Sequence, residues 1–335
     1  QRFVDNITSI TPGALKGGIH AITVHPAKEE VLVGGSDGVP QIFRLTRVAK
    51  RVIGDNSNLV RKFPAMPGRI FGIDFTSDGK KLAACSSYNG QGALHLYSSD
   101  YDSTVSDELK KAFEKPLDGK SKKLSAEYQA EGIKRLAKVS LNTALYATAF
   151  SPDGALVAFV RDHNLVVVNV DHRREWALTR DGHADLLRGE LDCVYQEEIY
   201  GRGNFKGFWW SPDSSRLAYL QTDESPVKAF TVIDHLPYRL EVETTSYPKA
   251  GDLNPVVRLG IIPAVGGDTV WVDLDRYTPT DMLVVSVGWS PEGDDVVFAA
   301  YGRTADMTAW LADTTYTRVA IDEGTIATET VAPVA

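Results

Sequence analysis

The chain has 335 residues and a mass of 36.6 kDa, enough for two average domains or one large all-β domain that buries roughly three quarters of its unfolded surface. Hydrophobic residues at 43% and charged residues at 24% are ordinary for a soluble globular protein, and no run of about 18 apolar residues offers a membrane-spanning helix. The net charge of −8 falls late: 21 Lys and Arg face 15 acids through residue 140, and 15 face 29 beyond it, which excludes nucleic acid, whose phosphates need a basic face.

The first residues, QRFVDNITSI, lack the basic-then-apolar layout of a signal peptide, and the compartment stays open. From residue 22 one unit recurs: an apolar strand, a turn of Ser-Pro-Asp-Gly type and a second apolar strand. It reads ITVHPAKEEVLVGG at 22–35, GIDFTSDGKKLAACSS at 72–87 and YATAFSPDGALVAFVRD at 146–162. It returns as GFWWSPDSSRLAYLQ at 207–221 and SVGWSPEGDDVVFAAYG at 286–302. Pro presets φ at the second turn position, Asp or Ser bonds to its own backbone, and Gly accepts a positive φ. Asp78, Asp153 and Asp213 are therefore turn formers.

Each hairpin is followed by a third strand candidate: QIFRLT (41–46), GALHLYS (92–98), NLVVVNV (164–170), VVRLGIIP (256–263) and TAWLADTT (308–315). A hairpin with a third and often a fourth strand is a blade of a β-propeller. The expected fold is all-β: a single β-propeller over 1–335, with five blades of four-stranded antiparallel sheet. Residues 101–139 interrupt it as a helical insertion. Ser106, Asp107 and Glu108 start one helix, which Pro116 and Gly119 end. A second begins near Ser125, with Tyr128, Ile133, Leu136 and Ala137 as a partial apolar stripe. An open blade would leave an unpaired edge, so RFVDNITSI is expected to complete the blade begun by 281–315. The tail TIATETVAPVA competes for that place.

Two resemblances follow from these phrases. Residues 1–154 resemble bacterial WD40-type repeat proteins through FVDNITSITPGALKGGIHAITVHP, VLVGGSDGVPQIFRL, GRIFGIDFTSDGKKLAA and LYATAFSPDG. From about 155 to 315 the chain resembles the N-terminal propeller region of dipeptidyl peptidase IV-type serine peptidases. That match runs through NLVVVNVDHRREWALT, LDCVYQEEIYGRGNFKGFWWSPDSSRLAYLQTDESPV and YPKAGDLNPVVRLGIIP. The change falls close to the charge boundary, and all six tryptophans lie beyond it. The expectation is a chimera of two propeller families, an engineered or recombined scaffold with no selected ligand.

In the peptidase family the propeller precedes a catalytic α/β-hydrolase domain that needs a Ser on a strand-to-helix elbow. With the chain ending at Ala335, no enzymatic activity is expected. GGSDG at 34–38 fits the elbow pattern in form, but a strand rather than a helix follows Ser36. In GWSPEG, Glu292 stands where Gly is needed, so Ser290 is a turn residue. The seven histidines show no paired metal spacing, and GRG at 201–203 lacks the strand and third glycine of a dinucleotide site. No metal and no cofactor are expected. Cys85 and Cys193 form no framework, although one long-range bridge stays open.

The alternative function is a peptide- or protein-binding propeller module. By resemblance, Glu197 and Glu198, behind Tyr195, match the acidic pair that holds a substrate's free amino terminus. Paired carboxylates suit an ammonium through charge-assisted hydrogen bonds. Two departures are visible: Cys193 stands where the family usually has Trp, and the upstream propeller loop expected to supply a partner arginine is replaced by the WD40-like half.

Overall fold

A computed structural model describes residues 18–45, 59–99, 133–201, 204–234, 241–275, 277–293, 295–302, 316–322 and 325–331. Within these residues the recurrent turn folds as its chemistry dictates. At the second unit the Thr76 hydroxyl donates to Asp78 Oδ1 at 2.7 Å, and the Lys80 amide donates to the same oxygen at 2.9 Å. The Lys81 amide donates back to Thr76 Oγ1 at 3.0 Å, and Gly79 takes φ +68°. Ser151, Asp153 and Gly154 repeat the arrangement, as do Ser211 and Asp213. In the first unit His25 replaces the hydroxyl: its Nδ1 accepts from the amides of Ala27 and Lys28 at 3.0 and 3.1 Å.

These turns join the inner strands of antiparallel sheets. The first sheet is β1 (Ile19–Val24), β2 (Glu30–Gly35), β3 (Gln41–Arg44) and β4 (Leu59–Lys62), in that order. The second is β5 (Arg69–Phe75), β6 (Lys81–Tyr88), β7 (Gln91–Ser98) and β8 (Arg135–Leu141). The third runs through β9 (Thr148–Phe150), β10 (Leu156–Arg161), β11 (Asn164–Asn169) and β12 (Glu175–Ala177). Strands β13 (Leu186–Arg188), β14 (Phe208–Trp210) and β15 (Arg216–Asp223) begin the fourth. A two-stranded ribbon, β16 (Ala229–Asp234) with β17 (Glu241–Ser246), then precedes its last members, β18 (Val256–Pro263) and β19 (Val270–Trp271). The fifth sheet is β20 (Met282–Trp289), β21 (Asp295–Gly302), β22 (Tyr316–Asp322) and β23 (Thr325–Val331). The fold is thus all-β, of the β-propeller class, with each predicted hairpin inside its own sheet.

Middle strands such as β6, β7, β10 and β15 are buried along most of their length. Both faces are covered, so they read as apolar runs rather than as alternating patterns. Contact density divides the chain into two compact units: Gln1–Arg161 with Val167–Glu175, and Asp162–Val166 with Trp176–Ala335. The first unit packs Leu32, Ile42, Ile70 and Leu82 around Phe63 and Tyr97, whose rings lie 5.1 Å apart. The second packs Tyr195, Leu220, Leu259, Val284, Val296 and Phe298.

The helical reading of 125–139 is corrected at its end. Arg135–Leu141 is a strand, pairing Ala137 with Leu96 and Val139 with Leu94. An edge to complete outweighs a modest helical stripe, because tertiary pairing overrides local propensity. Residues 101–132 of the insertion lie outside the described residues, as do RFVDNITSI and TAWLADTT. The fourth strand of the fifth sheet is Thr325–Val331, from the competing tail, and the third is Tyr316–Asp322. Among the described residues no helix is long and apolar enough to cross a membrane.

Candidate functional site

The double-glutamate segment lies in the second unit. Helical geometry starts at Cys193 and widens over Tyr195–Ile199 into a π-helix, closed by the Tyr200 amide donating to the Tyr195 carbonyl at 2.8 Å. Such turns hold more residues than the 3.6 of an α-helix and occur frequently at functional sites. A smaller angular step between successive residues lets Glu197 and Glu198 share one side. Both line an open cleft of about 260 Å³, together with Cys193, Val194, Lys249 and Asn254. Glu197 is half-buried and Glu198 exposed.

Below the helix the packing is aromatic. Tyr195 and Tyr200 stack at 6.2 Å between centroids, and Tyr200 lies 5.8 Å from Trp209. The Tyr200 hydroxyl donates to the Val284 carbonyl at 3.3 Å, while the Val284 amide donates to Tyr195 Oη at 2.9 Å. One residue of β20 therefore holds both tyrosines, and the next residue down, Leu283, lines the cleft. Trp289 Nε1 donates to the Trp209 carbonyl at 3.0 Å.

Tyr195, expected beside the glutamates as a ligand contact, lies behind the cleft wall in this arrangement. Tyr195 is 0% exposed, its ring lies in the core and its hydroxyl is engaged by β20. It supports the helix and does not line the cleft. Glu197 and Glu198 both line the cleft. Cys193, at the position where the resemblance leads one to expect Trp, lines the same cleft as a free thiol, and Cys85 is a buried free thiol.

Further acids surround the segment. Burial pushes Asp192 up to about 6, against the pull of its bonds to backbone amides. Glu224 is pushed up to about 7 by burial and by Asp192, Glu190 and Asp185 nearby. The Cys193 thiol is raised by burial, then by Glu197 and Asp192. His163 Nδ1 lies 2.9 Å from Glu190 Oε2, and this hydrogen bond raises the imidazole above its ordinary range. Sequence reasoning missed Asp192 and Glu224 because neither belongs to a recurrent motif. The loop that supplies Lys249 and Asn254, YPKAGDLNP, carries no functional motif of its own. Pro and Gly there mark a loop, but nothing local says that it faces the glutamates.

The other candidates stay structural. Ser36 Oγ lies 2.8 Å from His20 Nε2 after β2. Ser290 closes its turn, with the Gly293 amide donating to its carbonyl at 3.0 Å. Among the described residues no three His, Cys, Asp or Glu side chains are grouped to hold a metal ion.

Comparison with known proteins places this geometry. The family described as the dipeptidyl peptidase IV N-terminal region matches residues 78–330. A probable dipeptidyl-aminopeptidase B of Emericella nidulans is 32% identical over 181 residues, covering 49% of this chain and 19% of that protein. A probable dipeptidyl peptidase 4 of Aspergillus fumigatus is 34% identical over 165 residues, covering 47% of this chain and 21% of the relative. The chain thus spans about a fifth of the length of the curated relatives it matches. A crystal structure of Porphyromonas gingivalis dipeptidyl peptidase 4 superposes with a TM-score of 0.57 at 20% identity. It covers 93% of this chain and 39% of that one, a likeness of fold.

These findings overturn three expectations. The family match begins at residue 78 and runs across 154–155, so the change of family expected there does not stand. With it goes the idea that a foreign half had replaced the peptidase family's upstream arginine. The engineered, non-enzymatic scaffold is likewise set aside, because the relatives are natural proteins named as peptidases. With most of its length matched, the chain belongs to the dipeptidyl peptidase IV N-terminal region family.

Proposed function

We propose that this chain is the amine-recognising part of a dipeptidyl peptidase-type serine peptidase, in which Glu197 and Glu198 hold the free amino terminus of a peptide. The observation that supports this is the placement of both carboxylates on one side of a braced π-helix, facing a cleft. An ammonium bound there would make charge-assisted hydrogen bonds, each worth about 1.5–3 kcal/mol. A fixed grip on the amino end also sets the register of the peptide against a reacting group. Removing residues in pairs requires such a register, and positioning of this kind lowers the entropic part of the barrier. By resemblance, the nucleophile belongs to the α/β-hydrolase domain that follows the propeller in this family.

The test is binding of Gly-Pro amide, measured by calorimetry beside its N-acetylated counterpart. The expected result is that acetylation, or Glu197→Gln with Glu198→Gln, weakens binding by roughly 10- to 100-fold, the equivalent of one such bond. Equal binding of the free and acetylated peptides would overturn the reading. The same proposal takes residues 1–335 as one propeller. Thermal melts followed by tryptophan fluorescence and by far-UV dichroism should then coincide, and separated transitions would refute the single unit.

A further inference from the structure

The buried carboxylate of Asp192 sits immediately before the helix that carries the glutamate pair. Its Oδ1 accepts from the Tyr195 amide at 3.0 Å and its Oδ2 from the Val194 amide at 3.3 Å. Its backbone carbonyl accepts from the Gln196 amide at 2.9 Å. One residue thus engages three successive amides: its side chain takes those of Val194 and Tyr195, which have no partner inside the helix, and its carbonyl makes the first helical bond with Gln196. At the other end of the same turn, the Tyr195 hydroxyl is tied to Val284. Between these two ties lie two residues, Cys193 and Val194, both on the cleft wall.

Asp192 is only 5% exposed. A buried carboxylate costs far more desolvation than a buried amide or hydroxyl, yet Asn and Ser cap helices about as well as Asp. Capping alone therefore does not call for an acid. The additional consequence of the charge is local: the cleft-lining Cys193 feels Asp192 together with Glu197, Glu224 and Glu198.

We infer that Asp192 is a positioning residue for the amine site: its carboxylate fixes the start of the helix from which Glu197 and Glu198 face the cleft, and its charge adds to theirs. This rests on the amine-binding reading, but its frame-setting part is testable without a ligand. Glu190, Asp185, Glu224, the imidazole of His163 and the cleft-lining Lys249 and Cys193 are further titratable groups around this segment, and they are left in place in every variant.

The experiment compares Asp192→Ala, Asp192→Asn and the parent by hydrogen exchange across residues 193–200 and by calorimetry with Gly-Pro amide. In Asp192→Ala, exchange in that segment should rise by roughly 2- to 30-fold, the range that loss of a cap produces, and affinity should fall with it. In Asp192→Asn, exchange should return towards the parent value, while affinity stays weaker because the charge is gone. Unchanged exchange in Asp192→Ala would overturn the positioning role. Parent-like affinity in a folded Asp192→Asn would overturn the role of the charge. If exchange rises as expected while Glu197→Gln with Glu198→Gln binds like the parent, the amine site fails and the capping role of Asp192 survives alone.

Discussion

Substituting Tyr195 by Phe separates support of the site from contact with a ligand. The change keeps the ring that stacks on Tyr200 at 6.2 Å and removes only the hydroxyl. That oxygen accepts the Val284 amide at 2.9 Å in a position without solvent. The β20 amide is then left buried and unsatisfied, at a cost of about 1–3 kcal/mol. For one cooperative unit of 335 residues, an unfolding entropy of about 2.1 cal/mol/K per residue makes each kcal/mol worth about 1.4 °C, so a fall of roughly 1–4 °C is expected. Urea unfolding at fixed pH should show the same loss as a lowered midpoint with an unchanged slope. Affinity for Gly-Pro amide should stay close to that of the parent, because Tyr195 does not line the cleft. Unchanged stability with lost affinity would refute this reasoning and return Tyr195 to the ligand.

Two further predictions concern charge and backbone. Asp192 and Glu224 have folded values above those of free carboxyls, so between about pH 4 and 7 they hold more protons in the folded chain than in the unfolded one, and their contribution to stability falls as pH rises. His163, raised by Glu190, acts in the same direction: its contribution is present below the unfolded imidazole value and is lost as pH climbs through the folded one. The imidazoles of His95, His20 and His25, lowered by desolvation, act the opposite way, so the test is differential: relative to the parent, Glu224→Gln should raise the urea midpoint more at pH 8 than at pH 5. An equal change at both pH values would refute the assignment. In the first unit, Gly79→Ala places a Cβ 2.4 Å from the His25 ring at φ +68°, whereas Gly90→Ala, at φ +73°, meets nothing within 4 Å. Gly90→Ala should cost about 1–2 kcal/mol of backbone strain, and Gly79→Ala clearly more, by denaturant titration. Equal losses would show that the His25 turn yields to the added methyl group.

What could be read from the sequence was what is decided locally. The hairpins were legible because a turn of Thr76, Asp78 and Gly79 satisfies its own donors within six residues. The adjacent carboxylates of Glu197 and Glu198 were legible because two like charges side by side are conspicuous. The strand at Arg135–Leu141 was missed because its reason lies in β7, some forty residues earlier in the chain. The burial of Tyr195 was not legible because its direction depends on a π-turn, and no residue pattern in LDCVYQEEIYG distinguishes that from an ordinary helical turn. The boundary in charge and tryptophan content is real as composition, but it marks no change of family.

The acids around the segment carry the argument one step further. Asp192 and Glu224 sit where ionisation is unfavourable, and Asp192 makes the ionisation of Glu224 harder. An isolated fold would gain stability near neutral pH by replacing either with an amide, since breaking up a cluster of like charges removes repulsion as well as desolvation. Keeping them makes physical sense if a cation arrives. An ammonium held by Glu197 and Glu198 would favour the ionised forms behind it, offsetting part of the repulsion. Ligand binding between pH 6 and 7 should then release protons, seen as a dependence of the calorimetric heat on the ionisation enthalpy of the buffer. Heats independent of buffer would mean that these acids do not sense the ligand, and their positions would need another reason.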